Sequence, residues 1–137
     1  MARSITFTAE RQSSPLFGSV YRPMALVGLW SQKLASWVRV AMLVDTGADY
    51  TLLPHLYASY LGIALNRQAH VFETMGIGGR ESVYLVRHWP MQLGSWKRDI
   101  PIGFLVRDDV PPLLGRQACL ETFRLTFVRH RTTFALR

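Results

Sequence analysis

The segment WVRVAMLVDTG, residues 37–47, constrains the fold more tightly than any other. Val38, Val40, Met42 and Val44 recur with the period of two that places alternate side chains on one face of a strand. Arg39 marks the opposite face near the start, yet Ala41 and Leu43 make the far end apolar on both sides. A strand of this pattern runs into a core, and here it ends on the carboxylate of Asp45. A buried ionised carboxylate is costly unless it is hydrogen-bonded or paired. Thr46 and Gly47 then turn the chain at once. Two readings follow: a plain turn whose aspartate caps neighbouring amides, or a carboxylate held in place for chemistry.

Other strands surround this one. ALVGLW (25–30) is its expected neighbour across the turn SQKLAS, and SITFTAE is a possible short strand ahead of the polar stretch RQSSP. HVFETM and ESVYLVRHWPMQL flank GIGGR, the pattern of a hairpin with a glycine-rich tip. IPIGFLV follows the turn GSW, and FRLTF and TTFAL around VRHR form a last hairpin. Two short helices are expected. In the first, Leu53, Leu56, Tyr57, Tyr60 and Leu61 share one face, Pro54 suits a first turn and Gly62 a C-terminal stop. RQACLETF (116–123) is the second. Mostly strands with one or two short helices means an all-β fold, a small closed or partly open barrel. A length of 137 residues suits a single domain over 1–137. Residues 1–20 would be an N-terminal extension or edge strand, and 124–137 a C-terminal hairpin.

Composition removes several alternatives. With 49% apolar residues the chain is not expected to be disordered. Nothing approaches the roughly 18 consecutive apolar residues of a membrane span, so no membrane partner is expected. No apolar segment of a secretory signal follows Arg3. Cys119, the sole cysteine, excludes an intrachain disulfide and reads as a buried thiol, which points to a reducing, cytoplasmic setting. His55, His70, His88 and His130 lack the spacing of zinc ligands, so neither metal nor cofactor is expected. The formal charge is +7, and all basic residues except Lys33 and Lys97 are arginine. They are dispersed, and only RHR at 129–131 is a cluster. Solvated surface and ion pairing therefore explain them more simply than nucleic-acid binding. The adjacent Asp108 and Asp109 read as a solvated turn before Pro111.

LVDTGADYTLLP (43–54) resembles the active-site loop of retropepsin-like aspartic proteases, the family of retroviral proteases and their chromosomal relatives. MGIGGR (75–80) resembles that family's flap. PPLLGRQACLETF (111–123) resembles its apolar-apolar-glycine strand and following helix, and YRPMALVGL and LGIAL are similar to the chromosomal branch. The resemblance spans about residues 20–137 and implies an acid-protease barrel with a flap hairpin. It further implies roles. Asp45, Thr46 and Gly47 would form the catalytic loop, with Thr46 holding an opposing loop across a twofold axis. Asp49 would bind substrate main chain and pair with Arg116, while Ala48, Leu114 and Gly115 support the loop from beneath. Gly76, Ile77, Gly78 and Gly79 would form the flap tip, and Ile77 and Leu113 would line the substrate.

Aspartic proteolysis requires two carboxylates sharing one proton, an arrangement established for these enzymes in general. The remaining aspartates, Asp49, Asp99, Asp108 and Asp109, do not stand in an Asp-Thr-Gly or Asp-Ser-Gly. The second carboxylate is therefore expected from Asp45 of another copy, in a homodimer of the commonest symmetry. Its substrate would be a peptide or protein in extended conformation, held by main-chain hydrogen bonds as in strand addition. Two other readings stay open: a non-catalytic binding or dimerisation module of the same fold, and a basic nucleic-acid-associated protein using the last hairpin.

Overall fold

The computed structural model describes residues 3–76 and 79–136. The chain begins with β1 (Ser4–Thr8), β2 (Glu10–Ser14) and β3 (Gly18–Arg22), followed by β4 (Met24–Ser31), β5 (Ser36–Val44) and β6 (Thr51–Leu53). Two short helices come next, α1 (Tyr57–Leu61) and α2 (Leu65–Gln68). Then follow β7 (His70–Gly76), β8 (Gly79–Leu93), β9 (Trp96–Leu105) and β10 (Leu113–Leu114). A 3₁₀ turn over Leu120–Thr122 leads into β11 (Phe123–Val128) and β12 (Arg131–Leu136). The fold is all-β.

The larger sheet runs β4-β5-β10-β6-β9-β8-β7, and β4 also pairs with β8 through Gly28↔Gln92 and Leu29↔Met91. That extra pairing closes six strands into a barrel and leaves β7 hanging from β8 as the arm of a hairpin. Closure removes exposed strand edges from the barrel. Its interior takes the predicted face of β5: Val40, Met42 and Val44 are buried, with Val38 packed against them. Val27 and Leu29 of β4 meet them there.

β8 carries a bulge that its sequence does not announce. Val86 pairs with Ile102 but Trp89 with Ile100, so three steps on β8 oppose two on β9. The extra residue reverses the alternation, and Trp89, Met91 and Leu93 join Val86 in the core. Val83, on the far side of the bulge, is fully buried yet stands outside that core cluster. One long strand thus serves the barrel with one half and the β7–β8 hairpin with the other.

The helix expected over residues 53–61 is shorter than its periodicity implied. Leu53 belongs to β6, where parallel pairing of Thr51–Leu53 with Ile102–Phe104 captures it and buries it completely. Only Tyr57–Leu61 is helical, and Tyr60 remains 53% exposed. Gly62 does stop the helix, at φ 72°. The helix expected over 116–123 does not form. Ala118 sits at φ 53°, which breaks the run into a turn and then the 3₁₀ segment. The second helix lies instead at Leu65–Gln68.

Two smaller sheets come from the chain ends. β1 pairs with β12, and β12 with β11, in the order β1-β12-β11. β1 is thus an edge strand, and Phe134 of β12 is buried against the barrel core. The polar RQSSP stretch contributes to the β2–β3 hairpin. The turn between β11 and β12 holds Arg129 at φ 51° and His130 at φ 62°. Two-residue hairpin turns of this hand favour Asn-Gly. An L side chain in the left-handed region costs about 1 kcal/mol per residue.

Candidate active site

Asp45 follows directly on the last residue of β5, at the rim of the barrel. Its N–H donates to the Leu114 carbonyl (3.0 Å), and Leu43 N–H donates to the Pro112 carbonyl (2.9 Å). β10 therefore lies alongside the end of β5, with Leu113↔Leu43 and Leu114↔Val44 in parallel register. The Ala48 N–H closes a turn onto the Asp45 carbonyl (3.1 Å). The Gly47 N–H donates to Asp45 Oδ1 at 2.9 Å. The second contact is the short-range aspartate turn that local side-chain bonding favours. It orients the carboxylate while leaving it half-buried and open to the outside. Thr46 and Gly47 are exposed.

The far side of the loop is pinned as well. Arg116 N–H donates to the Ala48 carbonyl (3.0 Å) and Gln117 N–H to the Asp49 carbonyl (2.8 Å). Residues 112–117 thus hold residues 43–49 from both ends of the turn. The approach is so close that a Cβ at Gly115 would stand 2.2 Å from the Tyr50 oxygen. Gly115 N–H donates to the buried hydroxyl of Thr51 (3.1 Å). Arg116 Nη2 donates to Asp49 Oδ1 at 2.5 Å, while its Nε is buried without a hydrogen-bond partner among the described residues. Both side chains of this ion pair are substantially exposed, so it contributes at most about 1 kcal/mol.

A cleft of about 200 Å³ opens between this loop and the β7–β8 hairpin. Gly47, Ala48, Asp49, Tyr50 and Leu52 form one wall, and Phe72, Thr74, Met75, Glu81 and Val83 the other. Tyr50 and Phe72 meet edge-on at 5.6 Å, joining the two walls. Leu113, expected to line the substrate, is half-buried in β10 and does not border this cleft. Tyr50, Leu52, Phe72, Thr74, Met75, Glu81 and Val83 were not singled out from the sequence. The even-numbered residues 72 and 74 carry the only usable signal, the period of two in HVFETM. At the hairpin tip Gly76 pairs with Gly79, whose φ of 107° suits glycine alone. Ile77 and Gly78, the rest of the expected tip, lie outside the described residues.

Asp108 and Asp109 do stand in a bend. Asp108 Oδ1 accepts the Leu56 N–H (2.8 Å), and Asp109 pairs with Arg107, which holds the Asp109 carboxyl below the usual carboxylate range. Among the described residues no three His, Cys, Asp or Glu side chains gather as a metal site. No helix among them is long and apolar enough to cross a membrane.

Cys119 is fully buried beneath the loop, and burial pushes its thiol from 9.0 up to about 12, against a weaker opposing hydrogen bond from Thr51. The folded state holds this proton more tightly than the unfolded chain does. The stability involved is fully present below about pH 9 and is lost as pH rises through about 12. The denaturation midpoint should therefore fall over that window. In guanidinium titrations between about pH 9 and 12 the midpoint of Cys119→Ala should fall less than that of the parent protein, because the variant has no thiol to titrate.

Residues 36–119 match the family described as "gag-polyprotein putative aspartyl protease". No curated protein sequence matches the chain. Among solved structures, the crystal structure of a retropepsin-like aspartic protease from Rickettsia conorii superposes with a TM-score of 0.70 at 17% identity. The match covers 99% of this chain and 92% of that one. At that identity the likeness establishes the shared fold, while the family match spans more than half of the sequence and includes the Asp45 loop. The chain belongs to the retropepsin-like aspartic protease family.

Proposed function

We propose that the protein is a homodimeric aspartic endopeptidase in which Asp45 of each of two copies supplies one carboxylate. The observation that carries this reading is the Asp45 loop itself. Its carboxylate is oriented by the Gly47 N–H, braced through Leu114 and half-exposed, in a loop whose Gly47, Ala48 and Asp49 border the cleft although Asp45 itself does not. A brace of this kind holds the group in place before substrate arrives.

In the dimer one Asp45 is ionised and the other protonated, since like charges that close resist double ionisation. The ionised carboxylate takes a proton from a water molecule, whose oxygen attacks the scissile carbonyl carbon. The protonated carboxyl gives its proton to the carbonyl oxygen. Collapse of the tetrahedral intermediate returns that proton, passes another to the departing nitrogen and breaks the C–N bond. Thr46 locks the two loops together across the axis. Asp49 and Gly47 hold the substrate main chain, with Asp49 kept in place by Arg116. The β7–β8 hairpin serves as the flap, closing over an extended peptide through Gly76–Gly79, with Ile77 lining the subsites. A reducing, cytoplasmic setting belongs to the same reading and rests on the single cysteine.

The test is a peptide-library digest across a dilution series. Because a lone chain lacks half of the site, the rate per mole of protein should fall in proportion to concentration once dimers dissociate. A constant rate per mole, down to dilutions where sedimentation finds monomer alone, would falsify the reading.

A further inference from the structure

Arginines that are scattered along the sequence converge in the fold. The small sheets β2–β3 and β1–β12–β11 carry Arg11, Arg22, Arg124 and Arg131, with Arg129 at the last turn, against the single carboxylate of Glu10. None of these five makes an ion pair among the described residues. The outward side of β11 and β12 holds Arg124, Thr126, Arg131 and Thr133, opposite the buried Thr132 and Phe134.

Two depressions flank the tip of the β11–β12 hairpin, one on each face. One, of about 430 Å³, is lined by Thr6, Thr126, Val128, Arg129, Arg131 and Thr133. The other, of about 370 Å³, lies between the two sheets and includes Tyr21, Phe127 and His130. Arg129 and Arg131 border both. Tyr21 stacks on His130 with ring centroids 3.7 Å apart and planes 16° from parallel. Tyr21 is 42% and Phe127 52% exposed. The turn that aims these groups is held in the left-handed region by Arg129 and His130, where Asn-Gly would fold more easily. A local rule broken at an exposed tip points to a task for those side chains.

We propose that this surface binds single-stranded nucleic acid. Guanidinium forks at Arg129 and Arg131 take two or more phosphates, the Thr126 hydroxyl donates to the backbone between them, and the strand wraps the hairpin tip so that the aromatic groove receives an unstacked base. A duplex keeps its base faces covered, so it cannot use the groove. An anionic membrane would meet the same arginines and leave the aromatic groove unused.

The test is fluorescence anisotropy of the full chain with a labelled mixed-sequence RNA of about 20 nucleotides, a matching duplex, and phosphatidylserine-containing vesicles. Single-strand binding in the low micromolar range is expected at about 50 mM salt, weakening at least about tenfold at about 200 mM. Arg129→Asn with His130→Gly should raise the Kd about tenfold while the melting midpoint holds or rises, because the new turn is the favoured one. Arg131→Gln should weaken binding in the same direction. Removing two charges elsewhere, with Arg67→Ala and Arg87→Ala, should change the Kd less than about twofold. Any of three results overturns the proposal: no saturable single-strand binding at low salt, an equal loss in the Arg67/Arg87 control, or duplex or vesicles bound as tightly as the single strand.

Discussion

Asp45→Asn should reduce peptide cleavage by about 10³-fold or more while leaving the fold intact. Both expectations come from the same geometry. The Asn side-chain oxygen can still accept the Gly47 N–H that Asp45 Oδ1 accepts at 2.9 Å, so the turn survives. Half-burial at the rim also means that no core packing is altered. What disappears is the group that the proposed mechanism uses to take and return protons, and acid–base catalysis of this kind is worth about 10² to 10⁴ in rate. The variant's melting midpoint should stay within a few degrees of the parent's. Mixing experiments sharpen the test: excess variant added to the active protein should draw it into mixed dimers and inhibit it. Retained turnover in the pure variant would move the chemistry away from Asp45 altogether.

Gly115→Ala should fail in the opposite way, by losing the fold around the loop. Its Cβ would meet the Tyr50 oxygen at 2.2 Å and the Tyr50 carbonyl carbon at 2.3 Å. Both are backbone atoms, so no rotamer change relieves the contact. Relief would require β10 to move away from Tyr50 and Thr51, giving up the Gly115 N–H bond to the Thr51 hydroxyl. Overpacking of this kind costs about 3 kcal/mol, which for a chain of this size lowers the melting midpoint by about 10 °C. Activity should fall with it, because Leu114 also holds the Asp45 N–H. Calorimetry alongside the digest separates this variant from Asp45→Asn, whose stability should be unchanged. A Gly115→Ala protein as stable and active as the parent would show that the loop does not depend on this close approach.

The strands of the barrel were legible wherever one face is buried and the other is wet. β5 is the clearest case: Val40, Met42 and Val44 alternate, and all three are in the core. The stop at Gly62 was legible too, because a residue at φ 72° pays heavily for any Cβ. Helix length was less accessible. Leu53 fits a helical stripe as well as it fits a strand, and only pairing with β9 decides for the strand. RQACLETF has acceptable helix-forming residues, yet the hydrogen bonds that tie Arg116 and Gln117 to the Asp45 loop leave Ala118 in the left-handed region. Tertiary contacts there outweigh a propensity worth a few tenths of a kcal/mol per residue.

At the site, the Asp-Thr-Gly and its place after an apolar strand were readable because the information is local and contiguous. The opposite wall of the cleft was not. Phe72, Thr74 and Met75 come from β7 and Glu81 and Val83 from β8, and they border it only where that hairpin folds against a loop distant in the sequence. The arginines of the terminal sheets show the same division, since residues more than 100 positions apart meet where Tyr21 stacks on His130.

By itself, then, the amino-acid order determined the strand periods, the turn after β5 and the membership of Asp45 in a recognisable loop, because each depends on neighbours within a few residues. The bracing of that loop by β10, the cleft facing it and the gathering of positive charge on the small sheets were decided only in three dimensions. Those depend on which distant backbone groups find one another when the barrel closes, and closure is a property of the whole sheet.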